Sequence, residues 1–163
     1  MKAKNPDVLY VPGYYEEVGL IIKQARELSL DATVLGGDGF DSPKFIEIAG
    51  AAALNKVYYT NHYSSMDNAT DVVKFKEAFN TKYSKDADAF NALGYDLAYF
   101  LADALERAGI ADSVKLKDAL TSTNDFKGIT GTLSIDEFHN PVKAFTILQA
   151  VDDKPTFLKK LES

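Results

Sequence analysis

The chain has 163 residues, 46% apolar and 26% charged, with a net charge of −6 and a pI near 4.9. That is an ordinary soluble composition, long enough for one domain with a real core. No basic stripe is present, so no nucleic-acid partner is expected and an anionic membrane surface is disfavoured; with no cysteine, disulfides, thiolate metal sites and a cysteine nucleophile are excluded.

Met1–Pro6 is polar and shows no signal peptide, and no apolar stretch is long enough to span a bilayer. Asp7–Val11 is a short apolar run closed by Pro12-Gly13, which predicts a buried parallel strand. Glu16–Leu28 predicts a helix: Val18, Ile21, Ile22, Ala25 and Leu28 fall on one face. Glu16 and Glu17 open this helix and Lys23 and Arg26 come later, matching the helix dipole. Ala32–Leu35 predicts a second strand, ended by Gly36-Gly37-Asp38-Gly39. Ser42-Pro43 reads as an N-cap followed by proline in the first helical position, opening a short helix that stops near Gly50. Lys56–Thr60 predicts a third strand.

The pattern then changes. Asn68 is expected to cap a helix carrying Val72, Phe75 and Phe79, with Asp71 completing a capping box. Ala87–Ala108 predicts a long apolar-faced helix stopped by Gly109, and Ser113 is expected to cap a short helix through Leu120. Strand-like Gly131–Ile135, a turn at Asp136–Pro141 and strand-like Ala144–Val151 end the pattern.

The order β-α-β-α-β implies a parallel sheet. Three segments are expected: residues 1–65 as the β-α-β-α-β unit, 66–131 as a helical segment, and 132–163 as a ribbon with a final strand. A strand that should be central opens the chain with nothing before it, so the sheet edges are expected to be exposed, as in a fragment of something larger.

In open α/β sheets ligands bind beyond the carboxyl ends of the strands. Two loops lie there: Pro12-Gly13-Tyr14-Tyr15 and Gly36-Gly37-Asp38-Gly39-Phe40. A carboxylate accepts charge-assisted hydrogen bonds from an ammonium group, and a tyrosine ring adds cation–π attraction and shape. The bland reading stands beside this one. Aspartate between glycines is usually a turn residue, and a tyrosine after a strand more often packs than binds. The glycine run has the wrong spacing for a dinucleotide fingerprint. His62 and His139 are far apart and read as surface residues. Asp136, Glu137 and Asn140 lack the spacing of a calcium-binding EF-hand. Ser64-Ser65 has no nucleophile elbow. No cofactor, metal or catalytic centre is expected.

Asn5-Pro6-Asp7-Val8-Leu9-Tyr10, Gly13-Tyr14-Tyr15 and Gly36-Gly37-Asp38-Gly39 resemble the second lobe of the leucine/isoleucine/valine-binding family, the solute-binding proteins of branched-chain amino-acid ABC importers. Ala92-Leu93-Gly94-Tyr95-Asp96 is similar to the start of that family's long helix. Phe126–Asp136 and Asn140-Pro141-Val142-Lys143 resemble its late ribbon and the approach to its final strand.

The resemblance implies an α/β chain with a partial type I periplasmic-binding-protein fold, a three-layer αβα arrangement whose two lobes close on an amino acid. It implies that Asp38 takes the α-ammonium, that Tyr14 packs against the ligand and that Phe40 lines the side-chain pocket. It places Thr60–Ser65 as a crossing out of the second lobe and the long helix in the first lobe. In the family, donors for the α-carboxylate come from a preceding half. Hydrogen bonds to charged groups contribute roughly 1.5–3 kcal/mol each, so lacking about three of them weakens binding by roughly three to six decades. Very weak amino-acid binding by this chain alone, or none, is therefore expected, with an ABC permease as partner of the intact parent and an extracytoplasmic location for that parent. Exposed edges also lead to the expectation of a homo-oligomer, with domain swapping as one route. The alternatives are a free-standing sensory domain for a small molecule, and a flavodoxin-like phospho-acceptor using Asp38; the second lacks acidic partners for a metal.

Overall fold

The computed structural model describes residues 2–151 and 154–162. In chain order its elements begin with β1 (Val8–Tyr10), α1 (Tyr15–Glu27), β2 (Thr33–Gly36), α2 (Pro43–Ala49) and β3 (Val57–Asn61). They continue with α3 (Thr70–Tyr83), α4 (Ala89–Ala108), α5 (Ser113–Thr121), β4 (Phe126–Gly128), β5 (Gly131–Ile135), β6 (Pro141–Val142), β7 (Phe145–Val151) and β8 (Lys154–Leu161). The chain divides into two compact units, Met1–Met66 with Thr146–Lys160, and Asp67–Phe145 with Leu161–Ser163. It changes units after Met66 and again after Phe145. The β5 ribbon therefore belongs with the helices, not with the final strands.

In the first unit the strand order is β1-β2-β3-β7-β8. β1, β2 and β3 are parallel, and β7 runs antiparallel beside β3. Pairing of Leu9 with Val34 and of Val57 with both Val34 and Ala150 lines these residues up on one face. That face meets α1 and α2 in a core of Val18, Ile22, Phe40, Phe45, Leu54 and Tyr59. Successive strand residues point to opposite faces. Tyr10 and Leu35 therefore turn the other way, and both are exposed.

The helix faces follow from spacing. Val18, Ile22 and Ala25 are buried, four and three residues apart, on one side of α1. Ile21 and Leu28, expected on that stripe, are exposed at its margin. Gly19 lets α2 approach, since a Cβ there would stand 2.9 Å from Ile48 Cγ2. Ser42 caps α2 as expected, accepting the Lys44 N–H, with Pro43 in the first turn. Arg26 near the end of α1 donates to four carbonyls: Leu30 and Ala32 before β2, and Ala53 and Asn55 before β3. β8 has no counterpart in the sequence reading. Its lysines at 154, 159 and 160 and its Pro155 hide the strand signal, and they suit an edge position where like strands must be kept off.

In the second unit three of the expected helix starts move. α3 has Ala69 at its N-cap with no side-chain cap, so Asn68 and Asp71 form no capping box; Asp67 instead accepts the Ala69 N–H. α4 begins at Ala89, not Ala87, because Asp88 and Asn91 make a reciprocal capping box. Asp112, not Ser113, caps α5 by accepting from Val114 and Lys115. Gly109 ends α4 in the left-handed conformation, φ 71°, which glycine adopts without penalty. β4, β5 and β6 form a small antiparallel sheet. Its first turn is held by Asp96 of α4, which is buried. Asp96 accepts the Ile129 N–H at 2.8 Å, the Thr130 N–H at 2.8 Å and the Thr130 hydroxyl at 2.6 Å.

Candidate functional site

Because β1, β2 and β3 are parallel, the segments that leave them open on one edge of the first unit's sheet. After β1 the chain turns through Pro12-Gly13 to Tyr14, the extended N-cap residue of α1 (φ −105°, ψ 164°). Its carbonyl accepts the Val18 N–H at 3.0 Å. The Tyr14 side chain caps nothing and stands 64% exposed. After β2, Gly36-Gly37 leads into a single tight turn, Asp38–Phe40. The Asp38 carboxylate is half exposed.

Glycines bring these two loops together. A Cβ on Gly39 would lie 2.6 Å from the Gly13 carbonyl oxygen and 3.1 Å from Tyr14 Cδ1. Only a bare Cα lets the Asp38 turn rest on the Tyr14 loop. A Cβ on Gly36 would run into the Phe40 ring. Phe40, expected to line the side-chain pocket, is fully buried. Its ring packs at 5.2 Å from Phe45 and 5.6 Å from Tyr59. It occupies the space that the missing Gly36 side chain leaves, and so supports the Asp38 turn from below. Tyr59 Oη donates to Asp41 at 3.4 Å. Burial, and then the Asp41 charge, push the Tyr59 phenol well above its usual range.

The third strand adds His62, which directly follows Asn61. Its Nε2 lies 3.6 Å from Asp38 Oδ2. From sequence alone His62 is expected to be a surface histidine. Its place one residue past β3, matching Tyr14 past β1 and Asp38 past β2, is the signal that could have found it. The other candidates are not part of this edge. His139 sits in the Asp136–Asn140 turn, where Asp136 accepts from the Phe138 and Asn140 amides. Ser64 accepts the Met66 N–H. Among the described residues no group of three or more His, Asp or Glu is placed to hold a metal ion. No helix among them is long and apolar enough to cross a membrane.

The edge thus offers an accessible carboxylate acceptor beside an exposed phenol ring. That combination receives a cationic N–H donor. The second unit has an open groove between α3, α4 and β4, lined by Phe75, Tyr95, Tyr99, Asp103 and Phe126. Its buried carboxylate, Asp96, is already committed to the β4–β5 turn.

Known proteins share this fold. The chain superposes on the crystal structure of a leucine-binding protein from Thermotoga maritima with a TM-score of 0.88 and 36% identity, covering 99% of this chain and 46% of that one. It superposes on a branched-chain amino-acid transporter substrate-binding protein from Streptococcus pneumoniae, solved in complex with isoleucine, with a TM-score of 0.85 and 34% identity, covering 100% and 47%. A Leu/Ile/Val-binding protein homologue of Brucella suis is 31% identical over 143 residues, 86% of this chain. The chain spans about 37% of the length of that curated relative. The family model described as periplasmic binding protein matches residues 1–155. By sequence and by fold, the chain belongs to the periplasmic binding protein family.

Proposed function

We propose that this chain carries one side of an amino-acid site in an extracytoplasmic solute-binding protein that serves ABC-transporter uptake, with branched-chain amino acids as the ligand class. One observation carries the reading: Tyr14 and the accessible Asp38 carboxylate stand on adjoining loops at the carboxyl edge of the parallel strands, held together where Gly39 meets Gly13. Asp38 receives the ligand's α-ammonium by charge-assisted hydrogen bonds. Tyr14 covers it and contributes cation–π attraction. Phe40 acts from beneath, fixing the turn that presents Asp38. The names of the similar proteins, which bind leucine, isoleucine or valine, support this ligand class. The chemistry is capture and release, not catalysis, and the partner of the whole protein is the ABC permease.

The test is a titration of the isotope-labelled chain with L-leucine into the millimolar range, read by amide NMR shifts. Shifts concentrated at Tyr14, Asp38 and Gly39, lost in Asp38→Asn and weakened in Tyr14→Ala, are the expected result. Shifts elsewhere, or unchanged by Asp38→Asn, would exclude this site.

A further inference from the structure

β3 delivers a side chain to the site edge, and its anchorage is firm. Asn61 is 1% exposed. Its side-chain oxygen accepts the His62 N–H at 2.8 Å, and its backbone carbonyl accepts the Thr146 hydroxyl at 3.0 Å. The backbone of His62 is thereby fixed by β3 and by the neighbouring β7. From there Nε2 reaches to 3.6 Å from Asp38 Oδ2, with the two side chains 34% and 50% exposed. The pair is close enough to attract when charged and open enough for a ligand to enter.

We propose that His62 is a third residue of the ammonium site, and that its protonated form competes with the ligand's ammonium for the Asp38 carboxylate. This rests on the reading of Asp38 as the ammonium acceptor.

The direction follows from charge. A neutral imidazole places no positive charge beside Asp38, and an incoming ammonium meets the carboxylate unopposed. A protonated imidazole neutralises that carboxylate and repels the ammonium as a like charge. Ligand capture is therefore greatest above the histidine midpoint, ordinarily near pH 6.5, and falls as pH drops through it. By linkage, a bound ammonium must in turn lower the proton affinity of His62. Other titratable groups share this edge. Asp41, in the same turn region as Asp38, takes the Tyr59 hydroxyl; Tyr14 stands on the first loop; Glu16 and Glu17 lie in the first turn of α1. Carboxylic acids and phenols as classes titrate outside the interval from about pH 5.5 to 8, which leaves His62 as the group that changes charge there. Because both partners are partly solvated and screened, the expected loss of affinity across that interval is about 3- to 10-fold, not the full exclusion of a buried pair.

The experiment uses the full chain, with L-leucine as probe, at pH 8 and pH 5.5, together with an NMR titration of the His62 ring. In wild type the leucine affinity should fall about 3- to 10-fold at the lower pH. In His62→Gln, whatever its level at pH 8, the affinity should no longer change with pH. His62→Asn serves the same purpose should the glutamine variant not fold. In Asp38→Asn the His62 midpoint should fall by about half a pH unit. A wild-type leucine response that is equal at both pH values overturns the competition and leaves the amino-acid site standing. The same acid loss in His62→Gln, or a His62 midpoint unmoved by Asp38→Asn, overturns it as well. A leucine response at pH 8 that is unchanged in Asp38→Asn is the distinct result that removes the amino-acid reading, and this inference with it.

Discussion

Gly39 rests its Cα against the carbonyl oxygen of Gly13 so closely that a Cβ would stand 2.6 Å from it. The atom in the way is backbone and cannot swing aside. Gly39→Ala must part the two loops or bend one of them, and overpacking of this kind costs about 1–3 kcal/mol. A urea denaturation midpoint lowered at unchanged m-value is the expected result. A midpoint equal to wild type would show that the loops part freely.

Arg26 ties together the opposite end of the same sheet. Its guanidinium donates to the carbonyls of Leu30, Ala32, Ala53 and Asn55. Arg26→Ala leaves those carbonyls without their cationic donor and should destabilise the fold by about 2–4 kcal/mol. Arg26→Lys should recover little, because a point-like ammonium cannot address four separated acceptors as the planar fork does. Denaturation of the three proteins side by side decides it.

Asp96 has both carboxylate oxygens committed to the turn between β4 and β5. Asp96→Ala should cost about 2–4 kcal/mol, since two backbone donors lose a charged acceptor. Hydrogen exchange at the Ile129 and Thr130 amides should quicken before exchange elsewhere in the second unit. Gly128→Ala should produce the same signature by another route, because its Cβ would collide with that carboxylate. Slow exchange at both amides in either variant would contradict the hold of Asp96 on this turn.

The Tyr59 phenol sets a pH limit on stability. Its folded-state pKa is raised above the ordinary 10.0, first by burial and then by Asp41. A group raised on folding contributes stability that is complete below its unfolded value and is lost as pH climbs toward the folded one. Stability should therefore decline above about pH 10, and Tyr59→Phe should remove part of that decline. Thermal melts of both proteins between pH 8 and 11 test the sign. A steeper alkaline loss in the phenylalanine variant would reverse it.

β1 is an edge strand. Val8 and Tyr10 on it are 50% and 70% exposed, and Leu35 beside them is 40% exposed. Unpaired edges that carry apolar side chains recruit other strands. The expected occupant is a second copy of the chain, and light scattering should give a mass above that of the monomer which falls on Val8→Lys. A concentration-independent monomer mass would refute this.

Periodicity made the parallel part of the fold legible. The Val18, Ile22 and Ala25 stripe, the Ser42-Pro43 start of α2 and the Gly109 stop of α4 all follow from local physics that no distant contact overrides. β8 was hidden because its charged and proline residues are those that an edge strand needs. The misplaced Asn68 and Ser113 caps share one cause: each stands beside an aspartate, Asp67 or Asp112, and only backbone direction decides which side chain reaches the nearby amides. Within the site, strand order is enough to place Tyr14 and Asp38 on one edge. Whether Phe40 faces a ligand or the core depends on the room left by Gly36 lacking a side chain, which is a three-dimensional fact. His62 is not legible in the sequence because a lone histidine carries no pattern of its own.

The antiparallel pairing of Asn61 with Thr146 joins residues 85 positions apart, with most of the second unit between them. During synthesis, therefore, the order in which the chain emerges is not the order in which it can be finished. The second unit's 67–145 stretch is continuous and leaves the ribosome whole, whereas the first unit's sheet must wait for β7 before β3 gains its antiparallel neighbour. Until then β3 is a second open edge, and the site-bearing loops sit on a three-stranded sheet. A nascent chain stalled with residues 67–145 outside the ribosome and β7 still within it should have a protease-sensitive first unit and an already resistant second one.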